Sequence, residues 1–396
     1  MNKTYLLNEI CNIITSPVDK KSHDNEIHVK LCNYKDVYYN DFISDNINFM
    51  LATAKQSEID RYKLYKNDVI ITKDSESYDD IGISTYVIED IPLLLCGYHL
   101  TILRPKSDYV DGLFLAYYLK LKSVLNCFSK YANGIIRYSL TQETYNKITI
   151  ILPPLEEQKK IADILLTWDK AITTLKEIIQ QKELQKKGLM QNLLTGKKRL
   201  NGFNDEWKEV KLKNILIERK EYAIKNNDFT HVSLTKEGIY EKTEKYNRDY
   251  LVKKKDKEYK ITKLNDICYN PANLKFGVIC KNNYGIGIFS PIYIAFIVKK
   301  EYACDFIAFC VTQPSFISKI RKYEEGTVYE RKAVKPKDFL LGNIIIPTSI
   351  EEQKAIAEIL MKADEEIELL NKQLELYTEQ KKGLMQKLLT GKIRVN

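Results

Sequence analysis

Two long stretches of the chain carry apolar residues at alternating intervals of four and three positions. In the first stretch these positions are Ile161, Leu165, Trp168, Ile172, Leu175 and Ile179. The second stretch keeps the same phase with Ile356, Leu360, Ala363, Ile367, Leu370 and Leu374. A seven-residue repeat of this kind is typical of a helix that packs along another helix. We therefore predict two helices of about 40 residues, each roughly 60 Å long at 1.5 Å rise per residue.

The two stretches are copies of one another. Residues 156–159 recur at 351–354, 185–191 recur at 380–386, and 193–197 recur at 388–392. Because an internal repeat determines the plan of the whole fold, we divide the chain into two halves, each a globular part followed by a helix. Neither helix could bury its apolar stripe alone, so we expect an antiparallel pair with a pseudo-two-fold. The alternative is that each helix docks only on its own globular domain.

The predicted fold class is α+β, with two globular α/β domains separated by two long helices that form an antiparallel coiled coil. The domains are expected at 1–152 and 200–346, and the long helices within 153–199 and 347–396. In the first domain the pattern predicts strands at 69–72, 98–103 and 147–152, and one amphipathic helix over 113–125. Pro153 and Pro154 suit the first turn of a helix, and Gly196 and Gly391 suit helix ends. The start of the second helix is less defined, because residues 347–350 replace the proline pair.

The composition of the chain limits the classes of partner and site that it can have. The chain has 396 residues, 62 Lys and Arg against 53 Asp and Glu, and a net charge of +9, which suits a polyanionic partner without requiring one. Its eight cysteines form no CxxC pair, so we expect reduced, mostly buried thiols in the cytoplasm and no metal site. No window is long and apolar enough to span a bilayer, so no membrane partner is expected.

Sequence motifs for catalysis are missing. The chain has no phosphate-binding loop. Gly285 and Gly287 lack the third glycine and the setting of a dinucleotide site, and residues 270–273 only partly match the Asn-Pro-Pro-aromatic loop of amino-methyltransferases. The four histidines show no ligand spacing. We therefore predict no catalytic residue, although a fused methyltransferase or nuclease stays as an alternative that a cofactor loop or a set of metal-binding carboxylates would support.

The order of these segments resembles the specificity subunit of type I restriction–modification systems. The resemblance is carried by the Glu-Glu-Gln-Lys helix starts at 156–159 and 351–354, and by the Gly-Leu-Met-Gln segments at 188–191 and 383–386. Residues 269–271 and 290–293 are also similar to segments of its recognition domains. The resemblance covers nearly the whole chain, and both copies of the helical motif stand in the expected places.

This resemblance implies a subunit without catalysis or a cofactor of its own. Each recognition domain would read one half of a bipartite site in double-stranded DNA, and the helix pair would set the spacer and dock two methyltransferase subunits. Those subunits would carry S-adenosylmethionine for adenine-N6 methylation, and restriction subunits would add ATP- and Mg-dependent nuclease activity. The competing hypothesis is a coiled-coil scaffold that binds only proteins and has no DNA readout.

Candidate DNA-binding residues are basic, amide or aromatic residues in loops near strand ends. Arginine can pair with guanine and asparagine with adenine through two hydrogen bonds, whereas other polar groups position the protein on the phosphates. Each could instead be an ordinary solvated loop residue. The candidates are Lys73, Ser75, Arg137 and Tyr138 in the first domain, and Asn273, Lys275, Tyr329, Arg331 and Lys332 in the second.

Overall fold

The computed structural model of the chain describes residues 2–19, 21–224, 229–242, 258–325 and 332–395. The chain divides into two compact units, Met1–Lys176 with Lys372–Asn396, and Glu177–Asn371. The divisions lie inside the long helices and therefore differ from the predicted domain boundaries at 153, 200 and 347. Each unit holds one globular domain together with parts of both long helices.

The first domain consists of short strands and helices. Its strands are β1 (Lys3–Leu6), β2 (Cys11–Thr15), β3 (Ile27–Cys32), β4 (Phe42–Ile43), β5 (Met50–Ala54), β6 (Val69–Thr72), β7 (Asp74–Ser75), β8 (Ser84–Val87), β9 (Leu94–Cys96), β10 (Leu100–Pro105), β11 (Tyr138–Ser139) and β12 (Thr149–Leu152). Its helices are α1 (Leu7–Ile10), α2 (Tyr34–Tyr38), α3 (Gln56–Tyr62), α4 (Gly112–Leu119), α5 (Lys122–Tyr131) and α6 (Gln142–Tyr145). The strand predicted at 69–72 is confirmed, and the one predicted from Tyr98 begins at Leu100.

The main sheet of this domain has the strand order β2-β10-β6-β8-β4, and a smaller sheet has the order β5-β3-β9. Neighbouring strands are antiparallel except for the β4–β8 and β3–β9 pairs. Two further pairs, β1 with β12 and β7 with β11, are antiparallel ribbons. The β7–β11 ribbon brings together two segments that are about 60 residues apart in the chain.

The prediction of one amphipathic helix over 113–125 is wrong. The chain forms α4 and α5 instead, because Leu121 adopts an extended conformation between them. Every residue of α4 is buried, since this helix lies inside the core against β6 and β8. The amphipathic helix is α5, which buries Val124 and Phe128 and leaves its other side to solvent. Apolar spacing alone could not separate a buried helix from the amphipathic one that follows it.

After the first domain the chain enters the long helix α7 (Leu155–Leu193). The second domain has strands β13 (Trp207–Lys211), β14 (Leu216–Glu218), β15 (Tyr222–Ile224), β16 (Val232–Leu234), β17 (Ile239–Glu241), β18 (Glu258–Thr262), β19 (Ile267–Tyr269), β20 (Ile279–Lys281), β21 (Gly287–Phe289), β22 (Ile294–Val298) and β23 (Asn343–Pro347). Its helices are α8 (Leu212–Ile215), α9 (Cys304–Val311), α10 (Pro314–Ile320) and α11 (Pro336–Phe339), with 3-10 turns at Leu274–Phe276 and Arg321–Tyr323. The long helix α12 (Ile350–Leu388) follows.

Both domains begin in the same way. A strand that pairs with the last strand of its domain leads into a four-residue helix, β1–α1 in the first domain and β13–α8 in the second. Buried Asp68 precedes β6, and buried Asp266 precedes β19. Asp68 binds Arg104 at 2.9 and 2.8 Å, and Asp266 binds Arg219 at 2.7 and 2.8 Å. Arg104 lies on β10 and Arg219 directly follows β14. The two domains therefore pair an equivalent buried aspartate with arginines from different places in the fold.

Within each unit, the parts of the two long helices run antiparallel. In the first unit Trp168 of α7 packs edge-on against Tyr377 of α12 at 5.5 Å between ring centres, and Asp169 binds Lys381. In the second unit Lys186 binds Asp364, while Lys182 Nζ lies 2.7 Å from Glu366. The Asp–Lys contact is therefore made twice, once in each unit, by residues at equivalent positions of the repeat.

The predicted apolar seam is buried to different depths. Ile161 and Leu165 are fully buried in the core of the first domain, as Ile356 and Leu360 are in the core of the second, so the start of each helix packs on its own domain. Further along α7, three seam residues are at most 9% exposed: Ile172, Leu175 and Ile179. Five positions are only partly buried: Trp168, Ala363, Ile367, Leu370 and Leu374. The two arrangements considered from the sequence, helix on helix and helix on domain, occur together.

Candidate nucleic-acid interface

Two candidate segments of the first domain, 73–77 and 134–139, meet at one end of that domain. Tyr138 pairs with Ser75 in the β7–β11 ribbon. Asn133 and Ser139 exchange backbone hydrogen bonds of 3.0 and 2.8 Å, which close the loop 134–138. Leu140 N–H then donates to the carbonyl of Lys73 at 2.8 Å. Main-chain hydrogen bonds therefore bring Lys73, Ser75, Arg137 and Tyr138 into one surface, which we call loop cluster 1.

Aromatic and histidine side chains complete loop cluster 1. Lys73 N–H donates to the carbonyl of His99 at 3.0 Å, and Lys73 Nζ lies 4.6 Å from the ring centre of Tyr98. Tyr78 packs edge-on against Tyr138 at 6.1 Å. Tyr78 and Tyr98 are 56% and 50% exposed. Sequence reasoning missed Tyr78, Tyr98 and His99, although aromatic residues beside a lysine at a strand end are a recognised feature of nucleic-acid surfaces.

His99 contacts two charged side chains of loop cluster 1, those of Asp74 and Arg137. Its Nδ1 lies 2.9 Å from a carboxylate oxygen of Asp74 and 3.3 Å from the Arg137 guanidinium. One ring nitrogen cannot donate to the carboxylate and accept from the arginine together, and the shorter contact favours donation to Asp74. Among the described residues, no carboxylate lies within ion-pair distance of Arg137 or Lys73. The donors of Arg137 therefore remain available to a ligand.

Backbone hydrogen bonds hold the candidate region of the second domain in a way similar to that of the first. Glu325 and Ala333 exchange backbone hydrogen bonds of 3.0 and 2.9 Å, and Val334 N–H donates to the carbonyl of Pro271 at 3.2 Å. These bonds match the Asn133–Ser139 exchange and the bond from Leu140 to Lys73. In each domain, two residues that follow the second larger helix thus exchange backbone hydrogen bonds, and the residue after the second of them is anchored to the segment after β6 or β19.

This second surface, loop cluster 2, consists of residues 271–276 and 332. Asn273 precedes the 3-10 turn Leu274–Phe276, and Lys275 lies over the ring of Phe276 at 5.0 Å. Phe276 is 57% exposed and was not predicted as a candidate. Lys332 is exposed beside the closing pair at Ala333. Tyr329 and Arg331 lie outside the described residues.

The glutamine near the start of each long helix hydrogen-bonds to the N-terminus of a shorter helix in the domain that precedes it. Gln158, 1% exposed, accepts from the backbone N–H of Asp111 at 3.0 Å and donates to the carbonyls of Tyr109 and Pro153 at 3.1 and 2.9 Å. Gln353, equally buried, accepts from Ala303 N–H at 2.9 Å and donates to the Pro347 carbonyl at 2.9 Å. Asp111 and Ala303 are the N-cap residues of α4 and α9, so the repeated glutamine couples each long helix to its domain.

The second glutamate of each helix start binds an arginine that follows the other long helix. Glu157 accepts from Arg394 at 2.7 and 2.5 Å, and Glu352 accepts from Arg199 at 2.7 and 2.8 Å. The Arg394 hydrogen bonds hold the pKa of Glu157 below its usual value, with a further contribution from the Val395 N–H. No local sequence pattern indicates an arginine so distant in sequence as the partner of either glutamate.

The Asp169–Lys381 pair of the long helices contacts the first domain through Tyr117 of α4. Tyr117 donates its hydroxyl hydrogen to Asp169 at 2.6 Å, and the Lys381 ammonium lies 5.5 Å from the Tyr117 ring centre. Burial and this hydrogen bond raise the pKa of Tyr117, which keeps the hydroxyl protonated as a donor. In the second unit Lys186 lies 6.0 Å from the ring centre of Phe309.

Catalytic groups were also sought in the structure. Over the described ranges, no group of three or more His, Cys, Asp or Glu side chains could hold a metal ion. The cysteines are free in the structure, and burial raises the pKa of Cys11 and Cys280 to about 12. None of the helices in these ranges is both long and apolar enough to cross a membrane.

Comparisons with known proteins agree with this geometry. Residues 2–184 match the family model of the type I restriction modification DNA specificity domain. A Methanocaldococcus jannaschii protein assigned as the specificity subunit of type I restriction enzyme MjaX is 28% identical over 98% of this chain and 93% of its own length. The MjaVIII specificity subunit of the same organism is 29% identical over 74% of this chain and 73% of its own.

The fold is shared with a solved structure over its full length. The crystal structure of the type I S subunit from M. genitalium covers 98% of this chain and 96% of its own, with a TM-score of 0.61 and 13% identity. The chain is similar to the specificity subunits of type I restriction–modification systems, in sequence over 98% of its length and in its fold. The expected fold class, with two mixed helix-and-sheet domains and long paired helices, is confirmed. Specificity subunits are not catalytic, which agrees with the missing catalytic motifs.

Proposed function

We propose that this specificity subunit reads a bipartite sequence in double-stranded DNA, one half with each domain. Two methyltransferase subunits would dock on the long helices and carry S-adenosylmethionine for adenine-N6 methylation. Restriction subunits would join them and supply ATP-dependent nuclease activity with Mg. The complex would act in the cytoplasm.

One observation carries this proposal: an equivalent frame presents different side chains in the two domains. In both domains two residues exchange backbone hydrogen bonds, and the residue that follows them is anchored to the segment after β6 or β19. Loop cluster 1 presents Arg137 and Tyr138, whereas loop cluster 2 presents Asn273, Lys275 and Lys332. Because base edges are read by side chains while the frame positions them, two different loops on one frame suit two different half-sites.

The test assigns each loop to one half-site. We propose that Arg137 pairs with a base and that Lys275 meets a phosphate. Arg137→Ala should relax specificity at one position of one half-site by roughly 1–3 kcal/mol. Lys275→Ala should weaken binding evenly across sequences and reduce its salt dependence. Binding of the subunit assembled with its methyltransferase, to duplexes randomised in each half in turn, measures both. An equal effect of Arg137→Ala on both halves would contradict the assignment.

The long helices are proposed to set the spacing between the half-sites. One extra heptad in each helix, placed between Leu175 and Lys182, preserves the apolar repeat and adds about 10 Å. At about 3.4 Å per base pair the preferred spacer should lengthen by about three base pairs. The added rotation of about 100°, at roughly 10.5 base pairs per turn, should also lower affinity. An unchanged spacer at full affinity would show that the helices do not set it.

The scaffold alternative predicts a different result in the same binding assay. An assembled complex that binds target and scrambled duplexes equally would show that the chain only organises other subunits. Three features favour DNA reading: the exposed tyrosines of loop cluster 1, the net positive charge, and Arg137, which has no carboxylate partner among the described residues. The isolated chain should show neither methyl transfer nor ATP hydrolysis, and turnover by the pure chain would contradict a non-catalytic role.

A further inference from the structure

The tip of loop 134–138 exposes two neighbouring isoleucines. Ile135 and Ile136 are 91% and 88% exposed, more than any other large apolar side chain in the described ranges. Scattered single apolar residues on a surface need no explanation. Two adjacent, almost fully exposed β-branched residues at the tip of an anchored loop are unusual, and they indicate a surface that is covered when a ligand binds.

The loop holds the isoleucines in a defined position. The Asn133–Ser139 exchange closes its base, and Tyr138 is fixed to Ser75 through the β7–β11 ribbon. Gly134 has φ +139°, and a Cβ there would approach the Arg137 carbonyl oxygen to 1.9 Å, so only glycine permits this turn. Because the base of the loop is fixed on both sides, fewer backbone conformations are open to the tip before a ligand arrives, which lowers the entropic cost of binding.

The charges around the tip select the ligand. Arg137 directly follows Ile136, Lys73 anchors the far side of the loop, and neither has an ion-pair partner among the described residues. Of the carboxylates on segment 73–80, Asp74 is held by His99, Asp79 by the Ser77 hydroxyl and Asp80 by the Tyr38 hydroxyl, while Glu76 is exposed. An apolar tip flanked by unpaired cations is complementary to an apolar group on a polyanion.

In duplex DNA, the exposed apolar group of a base is the 5-methyl group of thymine, which lies in the major groove. That groove is about 12 Å wide and admits a two-stranded ribbon, and loop 134–138 is a narrow turn closed by two facing residues. We propose that Ile135 and Ile136 read thymine by contact with its 5-methyl group. This inference rests on the proposed function and names the chemical feature that loop cluster 1 recognises.

The test removes the methyl group and the isoleucines separately and together. Replacing thymine by uracil deletes the methyl group and leaves every base-pairing group unchanged. The assembled complex is titrated with its target duplex, identified from methylated positions in host DNA, and with duplexes carrying uracil at each thymine of each half-site. At one or two thymines of one half-site, uracil should lower the affinity of the natural complex about fourfold per methyl group.

The isoleucine variants decide whether the methyl effect belongs to this loop. In Ile135→Ala, Ile136→Ala or the double variant, the thymine and uracil duplexes should bind equally at those positions. Ile151→Ala removes another exposed isoleucine of the same domain, on β12, and should keep the full fourfold difference. The methyl effect should be confined to the half-site that Arg137→Ala also disturbs.

The outcomes separate failure of this inference from failure of the proposed function. Equal binding of target and scrambled duplexes would refute DNA reading as a whole. Target discrimination with no uracil effect, or with a uracil effect that persists in the double isoleucine variant, would refute the methyl contact alone. An equal loss of affinity on thymine and uracil duplexes, with unstacking of 2-aminopurine placed in the half-site, would show that the isoleucines wedge between base pairs instead.

Discussion

Gln158 offers a sharp test of how the repeated helix start stabilises its domain. Replacing it by methionine keeps the length and apolar volume of the side chain and removes its hydrogen-bonding atoms. The change leaves the N–H of Asp111 and the carbonyls of Tyr109 and Pro153 without the partner that they have in the structure. The start of α4 thereby loses its bond to the long helix, while the Asp111 carboxylate still caps α4 through the Phe114 N–H.

The expected magnitude follows from the count of hydrogen bonds. A buried hydrogen bond contributes about 1 kcal/mol net, so Gln158→Met, which removes three, should lower the free energy of unfolding by about 3 kcal/mol. Gln353→Met removes the two bonds to Ala303 and Pro347 and should cost about 2 kcal/mol. Gln180 is exposed on the same helix as Gln158, and Gln180→Met should change stability by less than about 0.5 kcal/mol.

The two tryptophans of the chain allow each unit to be followed separately. Trp168 lies in the first unit and Trp207 in the second. In urea titrations of variants that keep one tryptophan, Gln158→Met should move the transition reported by Trp168, and Gln353→Met the one reported by Trp207. If Gln158→Met and Gln180→Met unfold at the same urea concentration, the glutamine cap does not stabilise the domain.

Three further predictions concern the helix pair and the cysteines. Arg394 lowers the pKa of Glu157, so this contact stabilises the fold above the ordinary glutamate pKa and is lost as pH falls through the lowered value. The difference in urea midpoint between the natural chain and Glu157→Gln should begin to shrink below about pH 4.5 and close only below the lowered pKa. Trp168→Ala removes a partly buried ring packed edge-on against Tyr377 and should cost about 2 kcal/mol in urea unfolding followed by circular dichroism. Burial raises the pKa of Cys11 to about 12, so the folded thiol stays neutral while the unfolded one ionises, and stability should fall as pH rises above about 9.

Each of these predictions has its own control. A midpoint difference for Glu157→Gln that stays constant down to pH 3 would contradict the role of the Arg394 contact. Leu184→Ala removes a 63% exposed side chain of α7 and should cost far less than Trp168→Ala; equal costs would mean that the ring does not stabilise the helix pair. Cys11→Ser should weaken the alkaline loss of stability, and an unchanged pH profile would assign that loss to other groups.

The long helices were predictable because their signal is repeated many times. The apolar positions from Ile161 to Ile179 set the period, and the second copy sets the phase again, so both helices lie within the predicted ranges. The shared start of the two domains was predictable for a related reason: Leu7 and Ile10 match Leu212 and Ile215, and all four are buried. Because each pattern occurs twice in the same chain, the second occurrence supports the structure assigned to the first.

Other features depend on partners that are distant in sequence. Nothing near Gln158 indicates that its amide caps a helix that begins at Gly112. The break between α4 and α5 could not be predicted from the sequence either, because Leu113 and Leu121 both fit one apolar helical face. The assembly of loop cluster 1 requires β7 and β11 to pair, which local patterns at Ser75 and Tyr138 could not show. The candidate residues were named separately, and only the fold shows that those of the first domain form one surface.

The way loop 134–138 is held has a consequence for how this protein can evolve. Its anchors are the peptide groups of Asn133, Ser139, Leu140 and Lys73, and peptide groups are the same in every amino acid except proline. Apart from Gly134, the residues at the tip can therefore be exchanged with little penalty for folding. New sequence preferences can arise by substitution of a few surface residues, while the core, the glutamine caps and the helix pair are inherited unchanged.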